Sequence, residues 1–239
     1  MSLTNRTSVP HSRLGELGTF TRGAGLQKSE LLEAGLPAIH YGQVHTHYGV
    51  WATETKSFVD ASTSARYKRA QPGALVIATT SEDDAAVGKA TAWLGPEAAA
   101  VSGDAHIFHH SLDPKFVAYF FQTADFQRQK QAHLTGAKVR RISADGLSRI
   151  RIPLPPLEIQ REIVEVLDTF RSLEAELEAE LEARRRQYRH YRDALLTFHE
   201  RERVRRAPMS ELGFLFGGLT GRSRRPSTWS MTSGSCPDG

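Results

Sequence analysis

Cysteine is almost missing from this sequence. Cys236 is the only one in 239 residues, so no disulfide framework can form within the chain and the cytoplasm is the natural compartment. Long hydrophobic runs are missing too. No stretch reaches the roughly 20 apolar residues of a membrane-spanning helix, and the opening residues lack a signal peptide's apolar core. Compact catalytic motifs are also absent. There is no G-x-x-x-x-G-K-[ST], no G-x-S-x-G and no H-E-x-x-H. Nor is there an Asn-Pro-Pro-aromatic run of the kind amino-methyltransferases use. Neither sign of charge dominates: the net charge is +4 and the pI about 9.3, which permits a nucleic-acid partner without requiring one.

What the sequence does have is a long helical run from Pro156 to Arg206. Apolar residues fall at Ile159, Ile163, Val166, Phe170, Leu173 and Leu177. Steps of four and three alternate, which is the seam of a coiled coil. Leu181 follows after a second step of four, a stutter in the heptad, and Tyr188, Tyr191, Leu195 and Phe198 continue the pattern. About 45 helical residues would extend roughly 65–70 Å, the dimension of a spacer or docking arm. Acids dominate from Glu158 to Glu182, against only Arg161 and Arg171; arginines dominate from Arg184 to Arg206, against Asp193, Glu200 and Glu202. That order complements the helix dipole. It also favours an antiparallel partner of the same kind, which would set each basic half beside an acidic half.

The residues ahead of this helix are numerous enough to bury a core. Residues 1–12 are polar and expected to be flexible. Leu14–Thr21 reads as a strand ending at Arg22-Gly23-Ala24-Gly25, Ser29 as the cap of a short helix, and Ala38–Tyr48 as strand and turn. Ala65–Ala70 reads as a short helix and Ala74–Thr79 as a buried strand; Val87–Leu94 and Ala105–His109 are further strands. Asp113-Pro114 caps and opens a helix expected to run to about His133. Gly136 begins a basic loop, Arg149–Leu154 alternates like an edge strand, and Pro153, Pro155 and Pro156 form a stiff exit. The expected fold is therefore α+β (mixed α/β): a domain over residues 13–155, then a long coiled-coil helix over 156–206. Glu16-Leu17-Gly18 recurs as Glu211-Leu212-Gly213, and Gly23 matches Gly218 at the same offset. Residues 207–239 thus read as the start of a second copy of the domain that gives way to a disordered tail.

Candidate binding residues are basic and polar. Gly136, Lys138, Arg140 and Arg141 set cations on a glycine-started loop that can approach a phosphate backbone, and arginine can read guanine with two hydrogen bonds. Arg22, Lys28, Lys89 and the segment His40, Tyr41, Gln43 add to the set, as do Thr79, Thr80 and Ser81 at the end of a buried strand. Taken singly, each is more ordinarily a surface cation or a cap. His40, His45 and His47, and separately His109-His110, lack the cysteines and clear fourth ligand of a metal site and read as packed or surface residues. Glu82, Asp83 and Asp84 read as a solvated turn, though divalent-metal chemistry could use such carboxylates.

With those residues in view, the chain resembles the DNA specificity subunits of type I restriction–modification systems over about residues 13–205. The resemblance rests on Leu14-Gly15-Glu16-Leu17-Gly18, Gly25-Leu26-Gln27-Lys28 and Ile39-His40-Tyr41-Gly42-Gln43. It continues through Ala78-Thr79-Thr80-Ser81-Glu82-Asp83, Val101-Ser102-Gly103-Asp104, Pro114-Lys115-Phe116-Val117-Ala118-Tyr119 and Thr135-Gly136-Ala137-Lys138-Val139-Arg140-Arg141-Ile142-Ser143, and ends in Ile152-Pro153-Leu154-Pro155-Pro156-Leu157-Glu158-Ile159-Gln160. It implies a target-recognition domain that reads one half of a split site in double-stranded DNA, without catalysis or a cofactor of its own. It implies that the helix is a spacer that packs antiparallel against a second such helix and docks modification (methyltransferase) subunits, with restriction and motor subunits in the same assembly. Family members usually hold two recognition domains and two spacer helices. One of each here points to a half-subunit that pairs with a second copy and reads a symmetric site. The competing expectations are a stand-alone methyltransferase or nuclease, and a non-functional remnant acting only as a coiled-coil scaffold.

Overall fold

A computed structural model describes residues 9–197. The chain divides into two units, Met1–Glu178 and Ala179–Gly239. In the first, a five-stranded sheet has the order Gly18–Arg22, Ala105–His110, Leu75–Ala78, Ala90–Trp93, Trp51–Ala52, antiparallel except for its last pair. The strand Leu75–Ala78 is buried along its whole length, and its alternation explains why every residue is apolar. Leu75 and Ile77 enter one core with Phe108, Phe116, Val117, Phe121, Phe126 and Leu147. Val76 and Ala78 enter a second core with Ile39, Val44, Trp93, Val101 and Ile107. A sheet covered on both faces needs a continuous apolar run, not an alternating one.

Beside it lies a mixed four-stranded sheet in the order Ser57–Val59, Leu36–Ile39, Ala99–Val101, Arg69–Ala70. A three-stranded sheet joins Leu134–Thr135, Arg140–Ile142 and Thr80–Ser81, and His11–Arg13 pairs with Arg151–Pro153. The α+β class and the buried and edge strands agree with the sequence reading.

Several element boundaries do not. The expected strand Leu14–Thr21 is broken by a one-turn helix, Leu14–Leu17, held where the Glu16 carboxylate accepts from the Arg13 backbone N–H at 3.1 Å. Ser29 is no cap: it lies inside the short 3₁₀ turn Lys28–Glu30. Of the strand and turn expected over Ala38–Tyr48, the strand ends at Ile39 and a helix, Tyr41–Thr46, takes the place of the turn, because His40 caps it: its Nδ1 accepts from the Gly42 N–H at 3.2 Å. A 3₁₀ turn, Ala61–Arg66, and the short strand Arg69–Ala70 replace the expected helix at 65–70. The helix opened by Pro114 ends at Phe120, and a new one, Ala124–Gln131, starts where the Thr123 hydroxyl accepts from the Phe126 N–H. The basic loop is a hairpin, and a further helix, Ala144–Arg149, capped by Ser143, precedes the edge strand.

The long helix spans Leu157–Leu196. Within the first unit it is fixed to the domain at several places. Val164 enters the main core. Buried Gln160 accepts from the Asp113 N–H at 3.0 Å and donates to the Pro155 carbonyl at 2.9 Å. The Asp168 carboxylate accepts from Lys115 Nζ and from the Tyr119 hydroxyl, both at 2.7 Å. Lys115 Nζ also sits 3.8 Å from the centre of the Trp51 ring, a cation–π contact. In the second unit the described helix carries Glu–Arg pairs one turn apart, Glu180–Arg184 at 3.3 Å and Glu182–Arg186 at 3.8 Å. Ile159, Ile163, Val166, Phe170, Leu173, Leu177, Leu181, Tyr188, Tyr191 and Leu195 are all exposed. Phe198 and the expected second domain start at 207 lie outside the described residues. Among the described residues no helix is long and apolar enough to cross a membrane.

Candidate nucleic-acid interface

At the edge of the five-stranded sheet, backbone segments from distant parts of the chain are tied together. The strand Gly18–Arg22 is paired along its length with Ala105–His110, setting Arg22 opposite His106. The next residue, Gly23, passes so close to the neighbouring chain that a Cβ there would stand 2.1 Å from the Ser102 carbonyl oxygen, so only glycine fits. Gly23 N–H donates to the Ala105 carbonyl at 2.9 Å, and Ala24 N–H to that of Val101 at 3.1 Å. Thr79 gives both its backbone N–H and its hydroxyl to the Asp104 carbonyl at 3.0 Å, and its own carbonyl accepts from the Ile142 N–H at 3.1 Å. These bonds bring the hairpin Leu134–Ile142 onto the sheet, with Arg141 opposite Thr80 and Arg140 opposite Ser81.

A cavity of about 310 Å³ opens at this junction, lined among others by Arg22, Thr80, Asp104, His106, Arg141 and Ser143. The expected residues Arg22, Thr79, Thr80 and Arg141, far apart in sequence, converge here. Arg22 and Arg141 are exposed, and among the described residues neither forms an ion pair. Lys28 and His40 belong to the same electrostatic neighbourhood. Burial lowers the His40 pKa, with Asp104 opposing and Lys28 reinforcing that shift. The His106 pKa is lowered too, by burial first and by the Arg22 charge second.

Other expected residues are engaged within the fold. Arg140 gives Nε to the Asp84 carboxylate at 2.7 Å and Nη1 to the Gly136 carbonyl at 2.7 Å. Gly136 has φ +88°, and a Cβ on it would meet the Val139 carbonyl at 2.2 Å; it is the turn residue of the hairpin. Lys89 Nζ donates to the His45 carbonyl at 2.9 Å, and His45 Nε2 lies 3.1 Å from the Thr80 carbonyl. Gln43 bridges His40 N–H and Ser57 Oγ, and Tyr41 N–H donates to Ser102 Oγ at 2.8 Å. Ser81 Oγ accepts from Asp83 N–H, so the acidic turn 82–84 is structured and not merely solvated. Lys138 lies exposed on the hairpin turn. The sequence reading did not single out Asp104, His106 and Ser143. The turn Ser102-Gly103-Asp104 beside a strand was the available signal for the first two. Among the described residues no three His, Cys, Asp or Glu side chains converge as a metal site. Exposed cations beside short hydroxyls can hydrogen-bond nucleic-acid phosphates and base edges.

A family model described as the type I restriction modification DNA specificity domain matches residues 10–183. The chain belongs to this family. Over 128 residues it is 38% identical to the EcoR124I/EcoR124II specificity subunit of Escherichia coli, a match covering 52% of this chain and 30% of that one. It is 40% identical over 103 residues to the EcoprrI specificity subunit of Escherichia coli, covering 38% and 25% of the two chains. Among solved structures, one described by complex assembly and conformational transition of the type I R-M system matches with TM-score 0.58 and 23% identity, over 78% of this chain and 44% of that one. The HsdS subunit from Thermoanaerobacter tengcongensis matches with TM-score 0.51 and 22% identity, over 72% and 39%. These likenesses establish the fold. The matches of this specificity-family chain span less than half the length of each of these relatives.

Proposed function

We propose that this chain reads DNA sequence for a type I restriction–modification assembly, taking one half of a bipartite site and leaving the chemistry to other subunits. The observation that carries this reading is the convergence of Arg22, Arg141 and Thr80 on one cavity, with free guanidinium donors on a backbone cross-braced between sheets. Phosphate contacts would position the domain and base contacts would specify the site. The similarity to proteins named specificity subunits supports a non-catalytic role. The exposed seam Ile159 to Leu195, with its acid-to-base reversal, supports docking of modification subunits and antiparallel pairing with a second copy. Restriction subunits would join through that assembly in the cytoplasm. Two identical domains related by a two-fold axis read a symmetric split site.

The test is competition binding by the full chain assembled with a modification subunit, using duplexes enriched from a random pool. The enriched duplex should win over scrambled duplex by about 10³-fold or more, with affinity falling as salt rises. Equal affinity for all duplexes would overturn the reading.

A further inference from the structure

Resting on the DNA-recognition reading above, we infer that Arg22 is the guanine-reading residue of this face. The three arginines around the cavity are not equivalent. Each guanidinium nitrogen of Arg140 is engaged, with Asp84 or the Gly136 carbonyl. The Arg141 side chain has no hydrogen bond among the described residues and is exposed, the condition of a mobile cation suited to a phosphate.

Arg22 differs from both. Its Nε donates to the Gly103 carbonyl at 2.8 Å. That bond pins one edge of the planar guanidinium and leaves its two Nη groups as an end-on fork. Such a fork matches the O6 and N7 acceptors of guanine in the major groove. The base of the side chain is fixed as well: the strand pairs residue by residue through Arg22, and Gly23 lies against the Ser102 carbonyl. The floor beside it is His106, only 8% exposed and with Nδ1 lacking a hydrogen-bond partner among the described residues. Asp104 lines the same cavity, and its negative charge beside Arg22 disfavours a phosphate at this position while tolerating the edge of a neutral base. Preorganisation, an open fork and a nearby anion together select a base edge over the backbone.

The experiment is selection from a random duplex pool by the full chain assembled with a modification subunit, comparing wild type, R22K, R22A and R141A, with thermal unfolding of each as a folding control. Wild type should enrich a half-site containing an invariant guanine. Both Arg22 variants should lose preference at that position alone, by about tenfold to a hundredfold. R22K is the sharper variant, since it keeps the charge and removes the fork. R141A should keep the motif, bind all duplexes more weakly and have a flatter salt dependence. A wild-type motif that R22K and R22A leave intact, or that they relax at a position other than guanine, would overturn this proposal alone. A wild-type chain that enriches no motif would overturn the recognition reading and this proposal with it.

Discussion

Lys130 Nζ lies 2.7 Å from the Val87 carbonyl oxygen and 2.9 Å from that of Ala85, and the lysine is fully buried. Its stem passes beneath Gly88, whose φ of +81° brings the chain back toward Phe126. The cation thus closes the loop 82–88 from below, and Asp84 on that loop holds Arg140 of the hairpin. Lys130→Met should leave two buried carbonyls unpaired and cost about 2 kcal/mol at pH 7, measured by urea unfolding. Burial lowers the Lys130 pKa from 10.5 to about 8, with Asp83 and Asp84 opposing the shift. The folded state therefore holds fewer protons than the unfolded one between those values, so this group's penalty is present below pH 8 and relieved toward 10.5. The gap between wild type and variant should widen across that window.

His110 works on the acid side. Neither ring nitrogen has a hydrogen-bond partner among the described residues, and the ring lies 4.9 Å from that of Phe108. Burial pushes its pKa down to about 4. A depressed histidine contributes stability that is fully present above pH 6.5 and is lost as the pH falls toward 4, by at most about 3 kcal/mol. His110→Phe, an aromatic that cannot charge, should flatten the fall in unfolding free energy between pH 6.5 and 4.5. An unchanged slope would remove His110 from the acid limb.

Asp168 fixes the first turns of the long helix through Lys115 and Tyr119. The buried setting and the carboxylate together raise the Tyr119 pKa. Asp168→Ala should leave both donors without their acceptor and cost about 1–3 kcal/mol. Hydrogen exchange should quicken over residues 160–170 while the strand Leu75–Ala78 stays protected. Uniform quickening would mean that the contact holds the whole domain and not the helix alone.

The exposed seam gives a prediction of opposite character. Phe170 and Leu177 are 64% and 67% exposed, so Phe170→Glu and Leu177→Glu should shift the stability of the isolated domain by no more than about 0.5 kcal/mol. If the chain pairs with a second copy as proposed, light scattering should report a dimer for wild type and a monomer for the double variant, because the apolar seam is what a partner helix would cover.

How much of this was legible in the sequence depended on the range of the signal. The strand Leu75–Ala78, the Asp113-Pro114 helix start and the long helix each rest on local composition and period, and all appear where expected. The break at Thr123 carried a cap signal too, a threonine followed by Asp125 in the first turn, but the aromatic run before it favoured one long helix. His40 as a helix cap was illegible by type, since histidine is not among the favoured caps. For the candidate site, residue types marked Arg22, Thr80 and Arg141. How each of the three arginines is held was set by partners distant in sequence, the Gly103 carbonyl on Arg22 Nε and the Asp84 carboxylate on Arg140, and no local pattern encodes such pairs.

The central claim is that this chain chooses DNA sequence for a methylating partner. Base-resolution mapping of methylation in a host that expresses the chain with its modification subunit tests that most directly. The account predicts methylation at a split palindrome, each half read by one copy of the domain. Absence of methylation, with both proteins soluble and the modification subunit active alongside an intact specificity subunit, would contradict it.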